Sequence, residues 1–444
     1  MPKTAAQILG EFAAGLEYDD IPSAVVERAK DCMIDTVAAA RFGARFPWSR
    51  MVVDFAMRYG SGGPCAIIGT DARVHAPYAA LANGVHIHAF EQDGAHYPSV
   101  GAHGGATVLP AVLAACEETS ADGKTAIAAF VAGCEVMFRI GAASRHSPEK
   151  LGFHAPGLTG VYGAAVAAGR VLGHNAEQLS NALGIAGSLS SGLLAFSKSQ
   201  QGGMVKRLHL GRASESGILA ASLAGAGFSG PETVLEGKFG FLDVYCRDPD
   251  PALLTKELHE DWATLRTMLK QYASQGHTHT AIQSMRGLMA DFRFDGHDVA
   301  HVLVEGTERL ITHHNIPEPG DLMQAQYSVP FCVALAVFRD PENPNSFTND
   351  ALADPAIRAA CRRIEMRMLA DRSLPHYTTR LTVRLKDGRE FTREADTLKG
   401  MPTNPLSRAD LFRKLMFTAR NDEPAIRKLF ERLERLETEA RFSI

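Results

Sequence analysis

The sequence predicts a mainly α protein, with a large all-helical domain over 1–265 and 398–444 and a smaller inserted α+β domain at 266–397. Three observations carry this. Apolar residues recur at helical spacing through the first half of the chain. After about residue 265 the texture shifts to short apolar or alternating runs between helical stretches. Helical periodicity with dense charge then returns from Ser407 to Arg441.

The elements follow in order. MPKTAAQILGEFAAGL is amphipathic, and Glu11 falls where a signal peptide needs an apolar region. Val25, Val26, Ala29, Cys32, Met33, Thr36 and Val37 keep helical spacing after Pro22, a residue suited to a first helical turn. Helices are expected at about 105–117, 124–142, 158–172, 176–194 and 211–226, where Ala and Gly are frequent. Small residues let helices approach closely, so a compact bundle follows. The longest apolar run, Ala106 to Cys116, is too short to span a bilayer.

In the inserted segment, His301–Glu305 and Ile364–Met368 read as strands. Arg380 to Arg393 reads as two strands around Asp387-Gly388, a strong hairpin signal. Helices at about 278–291 and 323–338 lie between them.

Composition excludes several classes. The 444 residues are 45% hydrophobic and 22% charged, enough apolar material for a large core. Forty-six basic and 50 acidic residues are mixed along the chain for a net charge of −4, without the basic excess of a nucleic-acid surface. The seven cysteines, at 32, 65, 116, 134, 246, 332 and 361, contain no C-x-x-C pair. That spacing argues against a disulfide framework and against a cysteine-held iron–sulfur cluster, and leads us to expect reduced thiols in the cytoplasm.

Four clusters could carry chemistry. The densest is His86-Ile-His88-Ala-Phe-Glu91-Gln-Asp93-Gly-Ala-His96, followed by Ser99 and His103. Loops before helices collect Asp, His and Gly as caps, the bland reading for any one histidine. As a group, two carboxylates with several imidazoles point to function. The second cluster, Gly152-Phe-His154-Ala-Pro-Gly-Leu-Thr159, offers one histidine ahead of an Ala-rich helix. The third, Met204-Val-Lys206-Arg207-Leu-His209-Leu-Gly211-Arg212, sets four potentially cationic groups beside a glycine-rich helix entry that favours anions. Its bland alternative is a solvated basic loop. The fourth is Lys270-Gln-Tyr272-Ala-Ser-Gln-Gly-His277-Thr-His279.

The His86/His88 and His277/His279 pairs raise the question of a metal. Residues two apart share a face on a strand but not on a helix, and no H-E-x-x-H pattern follows either pair, so no metal ligand is assigned. Gly101-Ala-His-Gly-Gly and Gly202-Gly203 lack Rossmann and P-loop spacing.

Six motifs in order resemble the MmgE/PrpD (2-methylcitrate dehydratase) family: H-A-[LF]-E-x-D…H, S-V…H-x-G, G-F-H-x-x-G, K-R-L-H-x-G-R, K-x-Y…H-T-H and A-Q-[YF]-S-[LV]-P. Further matches are Leu172–Gly187, Gly227–Pro231 with Leu235–Gly237, and Gly400–Ser407, so the likeness runs from about 5 to 430. The family contains 2-methylcitrate dehydratase, cis-aconitate decarboxylase and iminodisuccinate epimerase. The resemblance implies a large helical domain with an α+β lid, usually in a homodimer, and a cofactor-free lyase or isomerase acting on a small di- or tricarboxylate. It places catalytic groups on Glu91, Asp93, His103, His154, Lys206 and Lys270. Flanking substrate-binding candidates are His96, Arg207, His209, Arg212, Tyr272, His277 and His279.

The sequence also departs from the family. Its Asp-Asp-Thr reads Asp93-Gly94-Ala95, its His-Pro reads His103-Gly104, and its Tyr-Pro-Cys-Cys reads Tyr272-Ala-Ser-Gln275. A tyrosine resembling a proton donor of the decarboxylase branch falls on Phe331. On that ground cis-aconitate decarboxylation ranks below dehydration or epimerisation. All three reactions form or receive a carbanion beside a carboxylate, whose charge Lys206, Arg207 and Lys270 would stabilise while His103 or His154 moves the proton. Readings from other classes are a metal-dependent lyase or hydrolase and a catalytically inactive carboxylate-binding protein.

Overall fold

The computed structural model describes residues 2–99, 101–198 and 203–444. Val100 of the second motif and Gly202 of the Gly202-Gly203 pair lie outside them.

The chain forms two compact units, Met1–Leu269 with Leu411–Ile444, and Lys270–Asp410. The first is built from α1 (Ala5–Gly15), α2 (Ser23–Gly43), α3 (Pro47–Gly60), α4 (Ala76–Ile87), α5 (Gly104–Thr119), α6 (Gly123–Ala143), α7 (Ser147–Lys150), α8 (Ala155–Val171), α9 (Ala176–Leu189), α10 (Val205–Gly225) and α11 (Phe241–Tyr245). Thr4 with Gln7 and Asn175 with Gln178 form capping boxes that satisfy the first amides of α1 and α9. α8 is apolar on every side and is buried accordingly, packed against α5, α6, α9 and α10. Among the described residues α6 is the one helix long and apolar enough to cross a bilayer, and 94% of its apolar window is buried in the unit. Two short ladders complete the unit: β1 (Ser61–Ala66) with β2 (Arg73–Val74), and β3 (Ala95–His96) with β4 (Thr267–Met268), both antiparallel.

Close approach of α4 and α10 depends on glycine. A Cβ on Gly211 would lie 2.3 Å from the Leu81 carbonyl oxygen, and one on Gly84 would lie 2.6 Å from the Gly211 Cα. This contact brings the end of α4, which leads to His88, alongside the start of α10, which carries Lys206.

The second unit has a four-stranded sheet, β5 (Val299–Gly306), β6 (Ile364–Met368), β7 (Thr379–Leu385) and β8 (Glu390–Ala395), in spatial order β6-β5-β7-β8. β5 runs parallel to β6 and antiparallel to β7. The β7–β8 hairpin turns at Asp387-Gly388 with Gly388 at φ +92°, as the dipeptide signals. Alternation along β5 and β7 buries Val302, Val304, Leu381 and Val383 against Met285 and Leu288 of α12 (His279–Phe292). Further helices are α13 (Glu308–His314), α14 (Leu322–Tyr327), α15 (Val329–Phe338), α16 (Asn349–Ala353) and α17 (Pro355–Cys361). The helix expected at 323–338 is thus two, because Ser328 is extended and caps α15 ahead of Pro330. After this unit come α18 (Arg408–Met416) and α19 (Glu423–Glu434), the charged helices foreseen at the C-terminus.

Candidate active site

Asp93 is wholly buried in the turn after α4, and its Oδ2 accepts hydrogen bonds from two imidazoles: His88 Nδ1 at 2.9 Å and His103 Nδ1 at 2.8 Å. A carboxylate only accepts, so both rings carry a proton on Nδ1 and turn Nε2 away from Asp93. Burial alone would raise the Asp93 pKa. The adjacent His88 and His103 rings and their hydrogen bonds outweigh it, holding the carboxyl well below the usual carboxylate range. His88 is pulled down to about 4, chiefly by burial, against the pull of Asp93 and with the push of the Lys206 ammonium. At neutral pH the cluster is therefore an aspartate and a neutral His88, beside His103, whose side chain is 14% exposed against 2% for His88.

His154 extends the row. Its ring centroid lies 6.2 Å from that of His88, and its Nδ1 is 3.0 Å from His209 Nδ1. Burial first, then the His88 ring and the Lys206 ammonium, hold His154 well below the usual imidazole range. Burial also lowers His209. Phe196 packs edge-on against His154 at 5.2 Å.

Helix geometry adds to the field. His103 is the N-cap of α5, His154 is the N-cap of α8, and Lys206 lies in the first turn of α10. Three helix starts, each with unsatisfied amides and the positive end of its dipole, thus feed one cluster suited to an anion. Lys206 forms a buried ion pair with Glu91, which sits at φ +55°, a left-handed conformation unusual for glutamate. Backbone strain of this kind gathers at functional sites.

The third motif divides. α10 begins at Val205, so Lys206 and His209 share one helix face while Arg207 and Arg212 turn elsewhere. Arg207 donates to the Ala89 carbonyl at 3.0 Å and lies 4.2 Å over the Trp48 ring, which caps a stack of Trp48, Phe46 and Phe90. It braces the Ala89–Glu91 turn from behind. Arg212 is exposed and paired with Glu215 at 2.6 Å, away from the imidazoles. His96 also leaves the cluster: it pairs in β3 and stacks flat on Phe138 at 4.2 Å. In this structure Arg207 thus meets the Ala89 carbonyl and the Trp48 ring, Arg212 pairs with Glu215 at the surface, and His96 stacks on Phe138.

Gly94, a departure from the family pattern, has a local cause. A Cβ there would lie 2.7 Å from the Met268 carbonyl oxygen, so the β3–β4 ladder demands glycine.

In the second unit, the His277 ring faces His376, with Nε2 atoms 2.7 Å apart, while its Nδ1 meets Gln275 Oε1 at 3.0 Å. His314 stacks on His277 at 5.2 Å. Burial first, then the His376 and His314 rings, hold His277 well below the usual imidazole range. Lys270 is buried, and Tyr272 packs edge-on against His279 at 5.0 Å. Phe331 is buried in α15 near Phe347 and lines a narrow cleft with Pro317, Pro319, Leu352 and Arg358.

His88, Asp93 and His103 are the one group among the described residues with a metal-ligand composition, their donor atoms lying within 4.8 Å of one another. Both Nδ1 atoms are spent on the same Asp93 oxygen, while His88 Nε2 and Asp93 Oδ1 have no hydrogen-bond partner. The His-x-His pairs do not act as units: His86 Nδ1 meets the Ile68 carbonyl and His279 Nε2 the Ser274 carbonyl.

Three groups went unassigned in the sequence reading. His88 was visible in its cluster without a role, and becomes the second partner of Asp93. Lys414 and Asp35 pair at 2.5 Å behind that turn. They are 379 positions apart, so no local pattern joins them.

A buried aspartate fixing two imidazoles, with a lysine at converging helix starts, is an arrangement that can move protons beside an anionic group. The chain belongs to the MmgE/PrpD family: the MmgE/PrpD N-terminal domain matches residues 7–254 and the C-terminal domain residues 272–432. It is similar to a cis-aconitate decarboxylase of Aspergillus terreus, 33% identical over 73% of this chain and 70% of that protein. It is also similar to the Homo sapiens cis-aconitate decarboxylase, at 27% over 94% and 88%. A cis-aconitate decarboxylase-like protein of Aspergillus oryzae is 29% identical over 80% and 78%.

Proposed function

We propose that this chain is a cofactor-independent lyase that decarboxylates a cis-aconitate-like tricarboxylate, with His103 and His154 as proton-transfer groups and Lys206 as a cation that holds the acid. The observation that carries the reading is the shared Asp93 oxygen, which accepts from Nδ1 of both His88 and His103 and leaves each Nε2 turned away. In decarboxylation the carbon–carbon bond to the leaving carboxylate breaks, carbon dioxide departs, and the electron pair stays as a carbanion delocalised toward the neighbouring carboxylate. One proton then closes the reaction. An imidazole beside an arriving polyanion gains a proton readily, which suits it to that step.

This order reverses the ranking drawn from the sequence. Phe331 is buried beside Phe347. The relatives named above favour decarboxylation. Dehydration of 2-methylcitrate or inversion of iminodisuccinate is the second reading, favoured by the Glu91-x-Asp93 form of the first motif. Both need the same carbanion and the same cation.

The test is turnover of cis-aconitate, 2-methylcitrate, citrate and iminodisuccinate by wild type, His103→Ala and His154→Ala. The expected result is product from one acid, with kcat reduced about 10²–10⁴-fold in folded variants. Near-normal turnover by both variants would show that other groups move the proton. Metal analysis and chelator insensitivity address the metal-dependent alternative.

We also propose a cytoplasmic homodimer. The buried free cysteines suit a reducing compartment. Exposed Met51, Phe55 and Tyr59, spaced four apart on α3, supply apolar surface for association. Sedimentation of Phe55→Glu against wild type reads the second point.

A further inference from the structure

Lys414 reaches the site from 322 positions away. Its ammonium donates to the Gln92 carbonyl at 2.7 Å and pairs with Asp35 Oδ1 at 2.5 Å. Both side chains are at least nine-tenths buried, Asp35 completely. Asp35 lies on α2, Lys414 on α18, and Gln92 immediately precedes Asp93, so three distant segments meet behind the carboxylate that anchors the imidazoles. Asp93 and Asp35 repel one another, Arg28 and Lys414 attract Asp35, and His88 and His103 face Asp93 from the other side. A buried ammonium needs a carboxylate and well-placed acceptors, and it has both. Its second acceptor is the peptide group that aims Asp93. The Arg207 brace bears on Ala89, before the turn; the lysine bears on Gln92, at its far side.

We infer that Lys414, neutralised by Asp35, is a positioning residue that fixes the Gln92–Asp93 peptide so that one Asp93 oxygen meets both imidazole Nδ1 atoms. The inference rests on the proposed role of that cluster in proton transfer. It also assigns the C-terminal segment a part in the site: α18 supplies the prop and α2 its counter-charge.

The test uses the full chain as Lys414→Met, Lys414→Arg and the charge-neutral pair Asp35→Asn with Lys414→Met. The first readout needs no substrate: the downfield proton resonances of the His88 and His103 Nδ1–H groups, assigned with His88→Gln and His103→Gln. The second is kcat and KM on whichever acid the wild type turns over. Loss or shift of those resonances in Lys414→Met is expected, with kcat down about 100-fold, the usual effect of an ångström of misplacement, and KM changed little. Lys414→Arg restores both in part. The neutral double variant folds, melting near wild type, yet keeps the defect. Unchanged resonances and kcat in a folded Lys414→Met variant would overturn the inference, as would full recovery in the double variant, which would reduce the pair to charge balance. A wild type that turns over no acid refutes the carbanion reading and leaves the resonance test standing.

Discussion

Replacing one oxygen of Asp93 by an amide group separates anchoring from bulk. In Asp93→Asn the fold has no reason to change and the amide oxygen can still accept from both rings, but it lacks the charge that holds His88 and His103 in place. We expect kcat to fall about 10²–10⁴-fold, with the protein still folded by circular dichroism. Lys206→Ala should raise KM and lower kcat together, since a cation at converging helix starts serves bound and reacting anion alike. Arg212→Ala should leave both within about twofold, because an exposed pair with Glu215 contributes little. At this scale the sequence was readable where chemistry is dense: Glu91, Asp93, His103, His154 and Lys206 were all singled out, and the described site contains them together. The contact of Arg207 with Ala89 and Trp48 was not readable, because a run of charges shows composition and hides direction. Lys414 and Asp35 were invisible because only the folded chain puts them together.

Among the elements, α10 decides most. It was expected to start near 211, behind a basic loop, and it starts at Val205. That difference of about two turns distributes the four cationic groups around a helix instead of converging them. Gly211, although a poor helix former, lies inside the helix, where α4 presses on it. Gly211→Ala therefore overpacks the α4–α10 contact and should destabilise the protein by about 1–3 kcal/mol in denaturant unfolding. It should also lower kcat by moving the turn after α4 away from Lys206. Ordinary stability with normal kcat would mean that the helix spacing is not what aligns His88 with Lys206. The β7–β8 hairpin and the strands at 301–305 and 364–368 were readable because their alternation and the Asp-Gly turn are local signals. The break at Ser328 was missed where Pro330 should have announced it.

For the whole molecule, buried imidazoles make stability depend on pH. His86 and His88 are lowered to about 4 and His96 to about 3, each mainly by burial, from an ordinary 6.5. A histidine whose folded pKa is depressed gives stability that is complete above the unfolded value and is lost as pH falls below it, because the unfolded chain takes the proton first. Unfolding free energy should thus decline from about pH 6.5 toward pH 4. His96→Phe, which keeps a ring on Phe138, removes one of these protons, worth about 2 kcal/mol at pH 5 from the separation of the two values. Its stability should fall less steeply over that interval; a slope equal to wild type would show that His96 is not buried as a neutral ring.

The helical bundle, the inserted α+β unit and the family were all legible in the sequence, because periodicity and six ordered motifs are spread along the chain. The choice among the family's reactions was not, since it depends on where a few side chains point.

In the proposed reaction, the imidazoles that Asp93 anchors run carbanion chemistry. Proton NMR in deuterated buffer tests it directly, with wild type and His103→Ala each offered cis-aconitate, 2-methylcitrate, citrate and iminodisuccinate. Deuterium is expected to enter the carbon beside a carboxylate, with product from one acid in the wild type and strongly slowed entry in His103→Ala. Unaltered spectra across the panel, or equal exchange by the two proteins, would contradict it.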